Sequence, residues 1–156
     1  MKTKLLFVQL VLLAMGTNLG VLGQSANDPI SFQHIKSGMS QSSATQIFED
    51  SHGFLWIGTP NGLNRYDGTE FQVFEKGNAQ NEGLTDGYIE SIYEDNEGIL
   101  YIGTNQGLNV YDRKINRVKP YPFLNSGKSL NTKYIGAIAR SKDILWLGTD
   151  NSGVYK

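Results

Sequence analysis

One stretch of seventeen residues, written twice and echoed a third time, constrains this chain more than any other feature. Residues 52–68 read HGFLWIGTPNGLNRYDG and residues 97–113 read EGILYIGTNQGLNVYDR, with ten positions identical at a constant offset of 45. A third copy, ILWLGTDNSGVYK, occupies 144–156, with Ile144, Leu145, Trp146, Gly148 and Thr149 another 45 residues on. That copy has one residue fewer in the turn before it and one more in the turn after it. Indels confined to turns are what strand-and-loop units tolerate. A period of this length marks a repeat architecture, in which each unit covers the apolar face of the next.

Each unit breaks into four short extended runs, which selects an all-β fold, a β-propeller of four-stranded blades. In the first unit the runs are 44–49, 54–59, 63–66 and 70–74. Turn chemistry separates them. Asp50-Ser51-His52-Gly53 and Asp95-Asn96-Glu97-Gly98 put Asp first and Gly fourth, as a type I turn prefers. Asn61-Gly62 and Asp67-Gly68 suit tight hairpins in which the backbone takes a positive φ, and Gly107 repeats Gly62. No apolar stripe of helical period lasts two turns. Along the second run, Leu55, Ile57 and Thr59 share one face, and Trp56 and Gly58 share the other. Both faces are largely apolar, so the strand is expected to be covered on both sides by neighbouring blades. Gly58, Gly103 and Gly148 then leave room beside a large ring. The rings themselves, Trp56, Tyr101 and Trp146, recur in phase inside an apolar strand and are read as core.

The first residues form a different kind of segment. Lys2 and Lys4 precede an apolar run from Leu5 to Met15 broken by Gln9, and small residues follow. This is the pattern of a secretory signal peptide over 1–23, cut before Gln24, and a cut after Ala26 fits the same rule. The apolar run is well short of the ~20 residues that a spanning helix needs. Removing it takes two lysines and no acids from the 14 basic and 15 acidic residues, leaving 12 and 15, a net charge of −3. A mildly acidic chain without a basic stripe argues against nucleic acid or an anionic membrane as partner. With no cysteine, the chain has no lipid-attachment site, disulfide or thiolate metal site, and the periplasm of a Gram-negative bacterium is the expected compartment.

The organisation read from the chain is a signal peptide (1–23), a spacer (24–29) and a partial propeller (30–156). Within the last lie an orphan outer strand at 30–35, blade 1 at 44–74, blade 2 at 89–121 and a truncated blade 3 at 135–156. The orphan strand, ISFQHI, looks like the outer strand EFQVF of the first unit without its own companions. Propellers close with ~4–8 blades, so the sequence is expected to be the N-terminal piece of a longer protein. Blades 1 and 3 would each present an uncovered apolar face, making the isolated chain prone to aggregate.

The run EDSHGFLWIGTPNGLNRYDGTEFQVF, with EDNEGILYIGTNQGLNVYD and ILWLGT behind it, resembles the two-component regulator propeller repeat. The lead-ins GMSQSSATQIFED and GLTDGYIESIYED are similar to that family as well. The resemblance covers residues 30–156. It implies the periplasmic sensor region of a hybrid two-component histidine kinase of Bacteroidetes-like bacteria, recognising oligosaccharides released from a glycan. The partners so implied are an oligosaccharide or other small periplasmic ligand, the remaining blades, and a second copy of the chain.

The pairs Glu49-Asp50 and Glu94-Asp95 invite a glycosidase reading, since two carboxylates flank a scissile sugar bond. They occupy one repeat position just before a turn, and turn capping explains them better; Arg140-Ser141 stands there in the third unit, as a tolerant structural site would allow. Asp95-x-Glu97-Gly98 lacks the other oxygen ligands of a calcium loop. The glycines fit neither a dinucleotide fingerprint nor a phosphate loop, because no helix follows. His34 and His52 are isolated. No catalytic residue, metal site or cofactor is therefore assigned. Binding residues are expected on the loops that share one face of a propeller: 37–43, 77–87 and 125–133, with 60–62, 105–107 and 150–153. Tyr88 and Tyr134, where the innermost strands begin, would stack on a sugar, and Asn61, Asn105, Gln106 and Asn151 would bond its hydroxyls. The alternatives are a secreted propeller enzyme, a lyase or glycan hydrolase, and an interaction scaffold.

Overall fold

The computed structural model describes residues 30–35, 37–78, 82–121 and 133–156, and none of these is helical. The expected signal peptide and spacer lie outside the described residues. The chain divides into two units, Met1–His34 and Ile35–Lys156. Of the first, only 30–34 are described. These and Ile35 are exposed and belong to no strand. Thus the stretch expected as an orphan outer strand is unpaired among the described residues.

The second unit holds three antiparallel sheets. The first runs β1 (Gln46–Glu49), β2 (Leu55–Thr59), β3 (Gly62–Tyr66) and β4 (Phe71–Phe74) in sequential order. The second repeats it with β5 (Ile89–Glu94), β6 (Leu100–Thr104), β7 (Gly107–Asp112) and β8 (Arg117–Pro120). The third has β9 (Ile135–Ser141), β10 (Ile144–Thr149) and β11 (Val154–Tyr155). Each is a meander whose hairpins carry the turn residues read from the sequence. Gly62 and Gly107, at φ of 136° and 132°, open the β2–β3 and β6–β7 hairpins in backbone conformations that a side chain would strain. The registers are equivalent too: Trp56 stands opposite Arg65, and Tyr101 opposite Val110.

The core lies between sheets rather than within one. Trp56 and Leu63 of blade 1 pack with Leu84, Ile89, Leu100, Ile102, Tyr111 and Val118 of blade 2 and its entry loop. Tyr101 and Leu108 of blade 2 pack with Ile135 and Leu147 of blade 3. The repeat glycine of the second strand makes this approach possible. A Cβ on Gly58 would lie 2.7 Å from Ile89 Cγ2, and one on Gly103 would lie 2.3 Å from the Ile135 carbonyl oxygen. Hydroxyls stitch the same seats: Thr45 donates to the Ile89 carbonyl at 2.8 Å and Ser91 to the Ile135 carbonyl at 2.9 Å.

One core assignment fails. Trp56 is fully buried and Tyr101 is 5% exposed, but Trp146 is 39% exposed. Its face of blade 3, with Ile144 and Val154, meets no further sheet among the described residues, so the ring that a neighbour covers in blades 1 and 2 stays in solvent.

Candidate ligand-binding face

Among the described residues, entry-loop residues Ser40 and Thr85 lie against the hairpin tips of blades 1 and 2, held by a buried polar network, whereas the expected loop 125–133 lies outside the described residues but for Lys133. Asn64, fully buried in β3, accepts the Ser40 N–H at 2.7 Å. Its amide donates to the Ser40 hydroxyl and to the Ile57 carbonyl. The Ser40 and Thr59 hydroxyls bond each other at 2.9 Å, and Thr59 also reaches the Gly62 carbonyl across its hairpin. In blade 2, Asn109, Thr85 and Thr104 repeat every one of these bonds. Each network clamps the loop entering a blade onto the tip of that blade's second hairpin. These polar residues sit in phase inside apolar strands, a signal present in the sequence that loop-centred reasoning passed over. Tyr155 follows Val154 at the matching place in the third unit, so blade 3 lacks the asparagine.

The face so built carries the candidate binders. Asn61, Asn105, Gln106 and Asn151 are exposed at the hairpin tips. Asn151 takes a φ of 56°, a left-handed turn conformation that asparagine tolerates. Blade-entry backbone leans on two of the tips: Gly62 N–H donates to the Gly87 carbonyl at 2.8 Å, beside Asn61, and Asn105 N–H donates to the Tyr88 carbonyl at 3.3 Å. Tyr88 and Tyr134 are about one-third exposed. The Tyr134 hydroxyl donates to Glu90 Oε2 at 3.2 Å, linking blade 3 to blade 2. Partial burial raises the Tyr134 hydroxyl's pKa, with Glu90, Asp150 and Tyr88 adding to the shift. Glu90 was missed in the sequence because it has no counterpart at that repeat position in blade 1 (Thr45) or blade 3 (Gly136).

At the opposite ends of the strands, the residues read as turn caps do more than cap. Asp50 Oδ1 accepts the His52 and Phe54 N–H groups, and its Oδ2 accepts Trp56 Nε1 at 2.8 Å and Arg113 Nη1 at 3.0 Å. Burial alone would raise the Asp50 carboxyl, but these hydrogen bonds outweigh it and hold the pKa below the ordinary value. Asp95 repeats the arrangement with Glu97, Ile99, Tyr101 and Arg140, and its carboxyl is lowered in the same way. The carboxylates are thus fully engaged by the fold. Arg140 is no tolerant turn residue, since it pairs with Asp95 and Glu97 across a blade junction. Among the described residues no group of three or more His, Asp or Glu is placed to hold a metal ion.

Residues 38–61 and 83–106 match the family described as Two component regulator propeller. This chain carries two-component regulator propeller repeats. The two matched segments start 45 residues apart, in step with the sheets. The fold is similar to the extracellular domain of the putative hybrid two component system BT3049 from B. thetaiotaomicron, with a TM-score of 0.68 and 28% identity over 78% of this chain. It is also similar to the extracellular domain of BT4673 from the same organism, described as a putative one component or hybrid two component system, with TM-scores of 0.59. A stretch of 37 residues is 49% identical to Histidine kinase P4 of Formosa agariphila. The chain spans 18% and 16% of those solved domains and 3% of that kinase. Among the described residues no helix is long and apolar enough to cross a membrane.

Proposed function

We infer that these regulator propeller repeats form part of the periplasmic, non-catalytic sensing region of a hybrid two-component histidine kinase, exported by the segment 1–23. The ligand class we assign is an oligosaccharide released from a glycan. The observation that carries this reading is the likeness to the BT3049 extracellular domain over 78% of the chain. The face described above supports it: exposed aromatic rings and side-chain amides on a backbone fixed by buried asparagine networks. Stacking on a ring and hydrogen bonds to hydroxyls are the chemistry that such side chains offer to a neutral sugar. Binding would bias the packing of blades, and a ligand shifts such an equilibrium only by its differential affinity for the two arrangements.

The test is calorimetric titration of the whole encoded extracellular region with β-glucan, α-mannan and galactan oligosaccharides. Binding by one class, weakened by Tyr88→Ala and Tyr134→Ala in a protein whose melting is unchanged, is the expected result. Turnover of the oligosaccharide, or no binding to any class, would remove the sensing assignment.

A further inference from the structure

We propose that Asn61 is a self-modification site, converted through a cyclic imide to aspartate and isoaspartate, and that the entry loop of blade 2 gates the reaction through the Gly87 carbonyl. The proposal rests on hairpin chemistry and not on the sensing reading, so either can fail alone.

The reaction needs only the chain and water. The Gly62 backbone nitrogen attacks the side-chain carbonyl carbon of Asn61, and the new N–C bond closes a five-membered ring. The side-chain nitrogen leaves as ammonia, carrying the Gly62 proton. Water then opens the ring at one carbonyl to give aspartate, or at the other to give isoaspartate, whose main chain runs through the side-chain carbon. Attack is fastest where the following residue has no side chain to crowd the ring. Asn61 is the only asparagine in the sequence that precedes glycine.

The fold fixes that glycine but not the asparagine. Gly62 holds a φ of 136°, and a Cβ there would lie 2.9 Å from the Phe74 carbonyl oxygen, so a side chain is unwelcome on both counts. Position 61 is held through its backbone. Asn61 N–H donates to Thr59 Oγ1 at 3.1 Å, and Gln106 N–H makes the same bond to Thr104 Oγ1 at 3.2 Å. Glutamine thus fills the equivalent tip of blade 2, and its longer side chain would have to close a six-membered ring, a slower step. Asn61 is exposed, so water reaches the imide once it forms.

What restrains the pair is the neighbouring blade. Before it attacks, the Gly62 nitrogen must shed its proton, and that N–H donates to the Gly87 carbonyl at 2.8 Å. Gly87 lies close over the tip, since a Cβ on it would stand 3.6 Å from Asn61 Cα. Bonds on either side hold it there: Thr85 N–H donates to Asn109 Oδ1 at 2.9 Å, and Tyr88 N–H donates to Asp86 Oδ1 at 3.1 Å. A hydrogen-bonded amide gives up its proton when the contact opens locally, without unfolding of the whole chain. Conversion of Asn61 therefore follows opening of the contact between blades 1 and 2. The product places a carboxylate on the candidate binding face and, as isoaspartate, lengthens the main chain at the tip.

The experiment incubates the full chain at mildly alkaline pH and follows the tryptic peptide 37–65 by mass spectrometry, with fragmentation that separates aspartate from isoaspartate. Asn61 is expected to convert several-fold more slowly in the folded chain than in guanidinium. Asn109→Ala, and to a lesser degree Thr85→Val, should raise the folded rate, with exchange of the Gly62 amide rising in step. Leu147→Ala, which weakens the core at blade 3, should leave the rate unchanged, and Asn61→Gln should abolish the product while keeping the hairpin. Equal rates in the folded and unfolded chains overturn the proposal, and so does an equal acceleration by Leu147→Ala. An unchanged rate in both loop variants, with native circular dichroism retained, overturns the gate. Absence of conversion at Asn61 even in guanidinium overturns the site. Where a variant does not fold, amide exchange in the parent decides: a Gly62 amide that exchanges as fast as in the unfolded chain carries no mask, and the proposal falls.

Discussion

At the junction of blades 1 and 2 the incoming innermost strand ends in Glu94; at the junction of blades 2 and 3 the matching residue is Arg140. Both reach back to the preceding turn, yet they carry opposite charges. The reason lies in how each buried aspartate is balanced. Asp50 receives its cation from Arg113, which leaves the β7–β8 turn of blade 2 and donates at once to Asp50, Glu94 and the Gly98 carbonyl. Asp95 receives its cation from Arg140 directly. Blade geometry repeats because backbone and apolar contacts dictate it, whereas the compensating charge need only arrive from some nearby element.

Removing the aspartates should break the comparison most severely. Asp50→Ala strips partners from Trp56 Nε1, two backbone N–H groups and a partly buried guanidinium. Breaking a buried pair from one side costs about 3–5 kcal/mol. Asp95→Ala should cost less, because Tyr101 bonds Asp95 at 3.3 Å where Trp56 bonds Asp50 at 2.8 Å. Urea unfolding followed by circular dichroism checks the order, and equal losses would deny the indole bond its role. Acid acts on the same groups reversibly. Both carboxyls are lowered in the folded chain, so their contribution is present above the unfolded carboxylate pKa of about 4 and is lost as pH falls below it. Asp50→Ala should therefore show a shallower loss of stability between neutral pH and pH ~3 than the parent.

The seat glycines rank next. Gly103→Ala drives a methyl to 2.3 Å from the Ile135 carbonyl oxygen, whereas Gly58→Ala comes to 2.7 Å from Ile89 Cγ2 and 2.8 Å from its Cβ, a milder clash. Overpacking of this kind costs about 1–3 kcal/mol, with Gly103 at the upper end. Gly148→Ala meets only the Ala137 methyl at 3.1 Å and should change stability by less than about 0.5 kcal/mol. If all three alanines cost the same, the junctions are not what the glycines serve.

Most of this architecture was legible because the repeat states each element more than once. Strand bounds, hairpin glycines and the role of Gly58 and Gly103 follow from residues that recur in phase. Trp146 shows where that reasoning stops. Its local sequence matches Trp56, but burial belongs to the neighbour and not to the strand. Arg140 shows a second limit: pairing between residues 45 apart depends on which blade faces which, and no local window contains it. On the candidate face, the tips and tyrosines could be placed from turn chemistry, whereas the Tyr134–Glu90 bond arises only when two strands from different blades start side by side.

The smallest expected effect comes from that bond. Tyr134→Phe keeps the ring, which lies over Gly136, and removes the hydroxyl that meets Glu90. Both groups are partly solvated, so water replaces the lost partner and stability should fall by no more than about 0.5 kcal/mol. Ligand affinity is the sharper readout. The Tyr134→Phe ring would retain stacking and lose only polar contact, so a modest loss beside a large one for Tyr134→Ala would mean that the ring face carries the recognition. Equal losses would mean instead that the hydroxyl and its Glu90 partner position the sugar.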